Sequence, residues 1–287
     1  MRPNNMKNIV DSMTVVSFLT IGAGCLMISG YIDLSVGAVG TLCGILMAKL
    51  LVLGVWWPIA CLLTIAAGAI CGIISAILVN ELRFQAFIAT MAMASITQGF
   101  MYIISSGQAV IINDAAVGKI GSGVIFGYLP VTLVLAVAAF IIYGVLMSGT
   151  KFGRDVYLVG GNPEAARLAG IYPKKISYIL FFNSGALGGL AGMLFAARVK
   201  SATVTGIINS QFSGMTAAIL GGVSFGGGAG GLGGAFVGLL ILNAFNNGMM
   251  ILGISPYWQT FASGIILIAA LMLDYARASR RARSKLA

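Results

Sequence analysis

Nine apolar runs divide the chain, near residues 13–32, 36–55, 59–79, 86–104, 129–147, 176–197, 213–225, 233–252 and 257–273, parted by short polar, glycine- or proline-bearing segments. A helix of roughly 20 apolar residues crosses a bilayer core about 30 Å thick, with its backbone N–H and C=O groups bonded within the segment. The runs therefore predict an all-α, polytopic membrane helix bundle of eight or nine spans, one domain over residues 1–287. Composition agrees, since 59% of residues are hydrophobic and only 8% charged, too little polar side chain to clothe a water-soluble globule. Pro58, Pro130 and Pro256 stand at the entrances of three runs, where a helix's first turn has no use for the missing N–H.

The net charge of +10 does not follow a nucleic-acid pattern, because the basic residues are not interleaved with aromatics on a polar face. They sit between apolar runs. Lys151, Arg154, Arg167, Lys174 and Lys175 fill the loop 148–175, and Arg277, Arg280, Arg281, Arg283 and Lys285 fill the tail 274–287. Both segments read as cytoplasmic by the positive-inside rule, and the four runs between them keep the parity. Counting back places Met1 outside, with Trp56, Trp57, Tyr128, Tyr257 and Trp258 forming an outer aromatic belt. Lys49, late in the second run, snorkels to the outer headgroups. The first run is too long for a signal-peptide core and has no A-x-A cleavage site. An external terminus bearing Arg2 and Lys7 thus predicts a further span upstream of Met1; the alternative is a short form that translocates two positive charges.

No enzyme chemistry is indicated. The chain has no His, and Cys25, Cys43, Cys61 and Cys71 lie inside apolar runs without CxxC spacing, so neither a metal site nor a disulfide framework is expected. The nine glycines from Gly221 to Gly234 are followed by no Lys to hold a phosphate, and they read as tight turning between helices. Gly40 and Gly44, Gly68 and Gly72, Gly185 and Gly189, and Gly188 and Gly192 have the four-residue spacing that lets helix backbones approach in lipid, within one subunit or across a dimer interface.

Two segments carry chemistry. In KFGRDVYLVGGNPEAARLAGIYPKK (151–175), Asn162 is placed to cap a short helix, Pro163 suits its first position, Glu164 complements its positive end and Gly170 suits a left-handed close. A helix that short is marginal alone, so it docks on a partner or rests as a connector on its own bundle. In IDLSVG (32–37), Asp33 is the acidic residue between Asp11 and Glu81, and a carboxylate at membrane depth needs a partner or water. Asp33 and Ser35 can cap a broken helix beginning at Val36, or take part in a solute path.

These residues carry a resemblance. GRDVYLVGGNPEAARLAGI, IDLSVGAVG at 32–40, LRFQAFIAT at 82–90 and ILGGVSFGGGAGGLGG at 219–234 together resemble the permease subunits of bacterial ABC importers for ribose, xylose, galactose and related solutes, in order from about Pro3 to Asp274. The resemblance implies that Asn162, Pro163, Glu164, Ala165, Ala166, Arg167 and Gly170 form a coupling helix seated in a groove of a separate ATPase subunit. That subunit would use ATP and Mg, because this chain has no G-x-x-x-x-G-K-[ST] and binds no cofactor of its own. It further implies an inner-membrane location, a delivering solute-binding protein and a second permease subunit, and family members carry a helix before the segment matching Pro3. Gln211, Phe212 and Ser213 stand where many relatives have Glu–Leu–Asp, and Ala86 where relatives often have Pro, which leaves the solute open among pentoses, hexoses, autoinducer furanosides and nucleosides. The rival is an ion-coupled secondary transporter, for which Asp33 is the candidate ion ligand.

Overall fold

The computed structural model describes residues 3–125, 127 and 129–284, and of residues 3–12, 277, 278 and 280–284 the backbone only. Helix α1 (Pro3–Ile28) leads through a turn at Gly30 to α2 (Val36–Val52), α3 (Trp57–Asn80) and α4 (Ala86–Ser105). A small cap follows: β1 (Val110–Ile111), α5 (Ala115–Ser122), β2 (Val124–Ile125) and β3 (Leu129–Pro130). Next come α6 (Val131–Gly149), the short α7 (Lys151–Gly161) and α8 (Pro163–Leu168), and the long α9 (Pro173–Val199). After β4 (Ser201–Ala202), which pairs antiparallel with β1, the chain closes with α10 (Ser210–Leu220), α11 (Leu232–Ile251) and α12 (Pro256–Ser284). The sequence missed the cap elements, which are too short to show a period.

Helix α9 is the hub, and glycine makes it one. A Cβ at Gly68 would overlap the carbonyl of Gly185, one at Gly72 the carbonyl of Phe181, one at Gly40 would lie 2.6 Å from the carbonyl oxygen of Gly188, and one at Gly44 would lie 3.0 Å from that of Gly192. The glycine pairs therefore pack α2 and α3 on α9 within this one chain. In lipid, close backbone approach replaces hydrophobic burial as the force between helices. The outer helices turn apolar side chains outward, among them Ile103 of α4, Ile141 and Ile142 of α6 and Ile268 of α12, as a lipid-facing wall requires.

Among the described residues, six helices are long and apolar enough to cross a membrane: α3, α4, α6, α9, α11 and α12. The apolar part of α1 at Met13–Ile28 and α2 are shorter. At 1.5 Å per residue α2 rises about 26 Å, and α10 about 17 Å, so neither spans a 30 Å core unaided. The run expected at 213–225 is a half-length helix followed by a glycine loop. Both short helices begin inside the bundle: Gly188, beside Val36, is near the midpoint of α9, and Gln211 packs against Gly37.

The contacts also sort the ends of the bundle. Gly228 N–H donates to the carbonyl of Ile28, Gly160 packs on the same carbonyl, and Tyr157 Oη donates to the carbonyl of Gly230. Asp274 of α12 accepts from Ser224 Oγ and Phe225 N–H. The basic loop and the end of α12 thus share one face. Trp57, opening α3, and Tyr257 and Trp258, opening α12, stand at the other, the last two strongly exposed. Met1, Arg2, Tyr128 and Lys285 lie outside the described residues, as do the side chains of Lys7, Arg277, Arg280, Arg281 and Arg283.

Candidate functional site

The first site lies where α2 and α10 begin. Asp33 is 3% exposed, and its Oδ1 accepts from Ser35 N–H (2.8 Å) and Ser35 Oγ (2.6 Å), its Oδ2 from Ser184 Oγ of α9 (2.8 Å). Ser35 occupies the N-cap position of α2 but makes no side-chain bond to the helix amides. Next to them, Leu34 N–H donates to Thr90 Oγ1 of α4 at 3.1 Å. The linker between α1 and α2 is thereby pinned to α9 and α4 at the level where the helix is broken.

Beside this linker opens a cavity of about 200 Å³, walled by Leu34 and Ala38, by Met91, Ser95 and Gln98 of α4, and by Asn209, Gln211 and Phe212 at the start of α10. Asp33 itself turns to Ser184 rather than forming this wall. On the other side of α10, Ser213, Thr216, Asn246, Gln259, Thr260 and Ser263 line a second cavity of about 630 Å³ that shares Asn209 and Phe212. Among the described residues, no charged side chain lines either cavity. The two short helices α2 and α10 present their N-termini here, and a helix N-terminus carries partial positive charge from unbonded amides. The arrangement can hold a neutral group rich in oxygen. Sequence reasoning passed over Ser95, Gln98 and Asn209; polar amides and hydroxyls inside or beside the runs 86–104 and 213–225 were the available signal.

The second site is the loop of α7 and α8. The sequence predicted one short helix here, and the structure has two, because Thr150 caps a helix at Lys151–Gly161 by accepting from Gly153 N–H. Asn162 caps α8, its Oδ1 accepting from the amides of Glu164 and Ala165 at 3.0 Å, with Pro163 at the first position and Glu164 in the first turn. Gly170 closes the helix at φ +79°, with Gly170 N–H bonded to Arg167 O and Ile171 N–H to Ala166 O, a Schellman arrangement. Within α8 only Ala166 is buried; Ala165 and Arg167 are exposed, and Leu168 is 92% exposed. Lys174 Nζ lies 3.0 Å from Glu81 Oε2, tying the end of α3 to the start of α9 and holding the Glu81 carboxyl below its usual range.

A family described as the branched-chain amino acid transport system / permease component matches residues 5–271. The chain belongs to this permease family. The permease is 32% identical over 276 residues to the ribose import permease protein RbsC of Bacillus subtilis, covering 96% of this chain and 85% of that one. It is 36% identical over 276 residues to the L-arabinose transport system permease protein AraH of Escherichia coli, covering 94% and 82% respectively. Among solved structures it resembles PsaBC from Streptococcus pneumoniae in complex with Fab, with a TM-score of 0.52 and 15% identity over 95% of this chain and 90% of that one. That last likeness concerns the fold alone. The permease is thus a multi-pass membrane protein.

Proposed function

We propose that the chain is the membrane subunit of an ATP-driven importer for a neutral sugar, a pentose such as ribose or arabinose, delivered by a solute-binding protein. Near-full-length similarity to RbsC and AraH carries this reading. The family description names branched-chain amino acids, but a zwitterion needs charged partners when it leaves water, and the two cavities at α10 offer amides and hydroxyls instead. An ion-coupled mechanism finds no such support, since Asp33 already accepts three hydrogen bonds from its own chain.

In this reading Asn162, Pro163, Glu164, Ala165, Ala166, Arg167 and Gly170 form the coupling helix, with Leu168 exposed for a groove of the ATPase, which binds ATP and Mg. The bare surface of α8 favours a docking role over a connector's. Motion of α8 reaches the broken helix through α7: Gly160 bears on Ile28, and Ile28 leads into the linker that holds Asp33. The face carrying Lys151, Arg154, Arg167 and the end of α12 is cytoplasmic by the positive-inside rule. One membrane domain fills residues 1–287 of the inner-membrane subunit, and a second permease subunit completes the path. The test is ATP hydrolysis by the reconstituted complex. Loaded ribose- or arabinose-binding protein should stimulate it, whereas stimulation by leucine alone would overturn the sugar assignment.

A further inference from the structure

The sugar reading leaves open which groups read the solute, and the start of α10 offers one. Gln211 is 8% exposed, lines the 200 Å³ cavity, and its Oε1 is buried with no hydrogen-bond partner. An amide oxygen left unbonded in a membrane bundle is costly, and here Oε1 is packed on the α2 backbone at Gly37. At Gly37 a Cβ would overlap Oε1 and lie 2.8 and 2.9 Å from the carbonyl oxygens of Ile208 and Ile207, so a residue without a side chain faces Gln211. Ser95 and Gln98, near the middle of α4, and Asn209, before α10, are exposed along the same cavity, and Phe212 is 45% exposed beside them. Polar side chains at the depth of a span's midpoint face protein or water rather than lipid.

We propose that this cavity is half of a transit site for a neutral polyhydroxylated solute, with Gln211 as the specificity-determining group and a second subunit closing the open side. The inference rests on the sugar reading above. A sugar hydroxyl is both donor and acceptor, and an amide offers both; rotation about its terminal torsion exchanges Oε1 and Nε2, so Gln211 meets either end of a hydroxyl. Gln98, Ser95 and Asn209 supply further partners without charge, and Phe212 offers an apolar surface to the C–H face of the ring. Few, exchangeable partners suit a site that a solute must leave as readily as it enters.

The test uses the full chain with its ATPase and binding protein in proteoliposomes, measuring ATP-dependent uptake of radiolabelled D-ribose and L-arabinose. Gln211→Met keeps the unbranched length and removes both polar atoms. Initial uptake should fall about tenfold or more, with membrane abundance unchanged. Gln98→Leu should lower uptake severalfold, although its exposed position leaves room for Leu and a lipid-facing residue would tolerate it. Uptake within about twofold of the parent in Gln211→Met overturns the proposal. If Gln211→Met does not accumulate, unchanged uptake in Gln98→Leu overturns it instead. A parent complex that takes up neither sugar with ATP contradicts the underlying sugar reading, before any variant is compared.

Discussion

Asp33 and Gly170 show how differently single residues carry this fold. The Asp33 carboxylate joins the α1–α2 linker to α9 through Ser184, so Ser184→Ala leaves Oδ2 without that donor in a buried place. The expected cost is about 1–3 kcal/mol, seen as a lower thermal midpoint of the detergent-solubilised protein; an unchanged midpoint would mean the bond contributes nothing. Gly170 is the opposite case. Nothing lies within 4 Å of a Cβ built there, so Gly170→Leu acts only through the strain of a left-handed backbone, roughly 1–2 kcal/mol. Glu164→Arg replaces a favourable charge at the first turn of α8, worth about 0.3–1 kcal/mol, with repulsion. Both changes fall on an exposed helix, so the protein should insert and purify normally while sugar-stimulated ATP hydrolysis drops. Normal uptake in both would make α8 a connector only.

Helix by helix, much of this architecture was legible in the sequence. The runs at 59–79, 86–104, 129–147, 176–197, 233–252 and 257–273 became membrane-length helices because hydropathy and length decide a span before any packing does. The cap on α8 was legible because Asn-Pro-Glu is local chemistry. Helix α7 was not, although its Thr150 cap is local chemistry: Gly153 and Gly160 read as loop residues, whereas each packs against a backbone carbonyl, of Met147 and of Ile28. The half-length of α10 was hidden as well: apolar residues continue to Val223, but the glycine loop against Ile28 and Gly160 ends the helix earlier. The cavity-lining polar groups were missed because which side of α4 faces a cavity depends on where α10 starts. Glycine contacts supply the sharpest element-scale prediction. Gly72→Leu drives a side chain into the backbone of Phe181, whereas Gly144→Leu on α6 has open space around it. Membrane abundance should collapse for the first and hold for the second, and equal abundance would refute the close packing of α3 on α9.

At the scale of the whole molecule, Asp274 touches the loop 224–225, that loop reaches Ile28 through Gly228, and Ile28 meets Gly160. Tags after Ala287 and within 151–175 should therefore report the same side of the membrane, and a reporter placing them on opposite sides would break the topology. In the proposed reading, a push on α8 passes along α7 to Gly160 and Ile28 and so to the linker beside the α10 cavity, which would give an ATPase something to act on. The energy source accordingly separates an ATP-driven importer from an ion-coupled transporter. The decisive measurement is sugar uptake into proteoliposomes holding the permease, its ATPase and its binding protein, with ATP inside or with only a proton or sodium gradient imposed. Uptake of ribose or arabinose is expected with ATP and not with either gradient; gradient-driven uptake by the permease without an ATPase would overturn the ATP-driven reading.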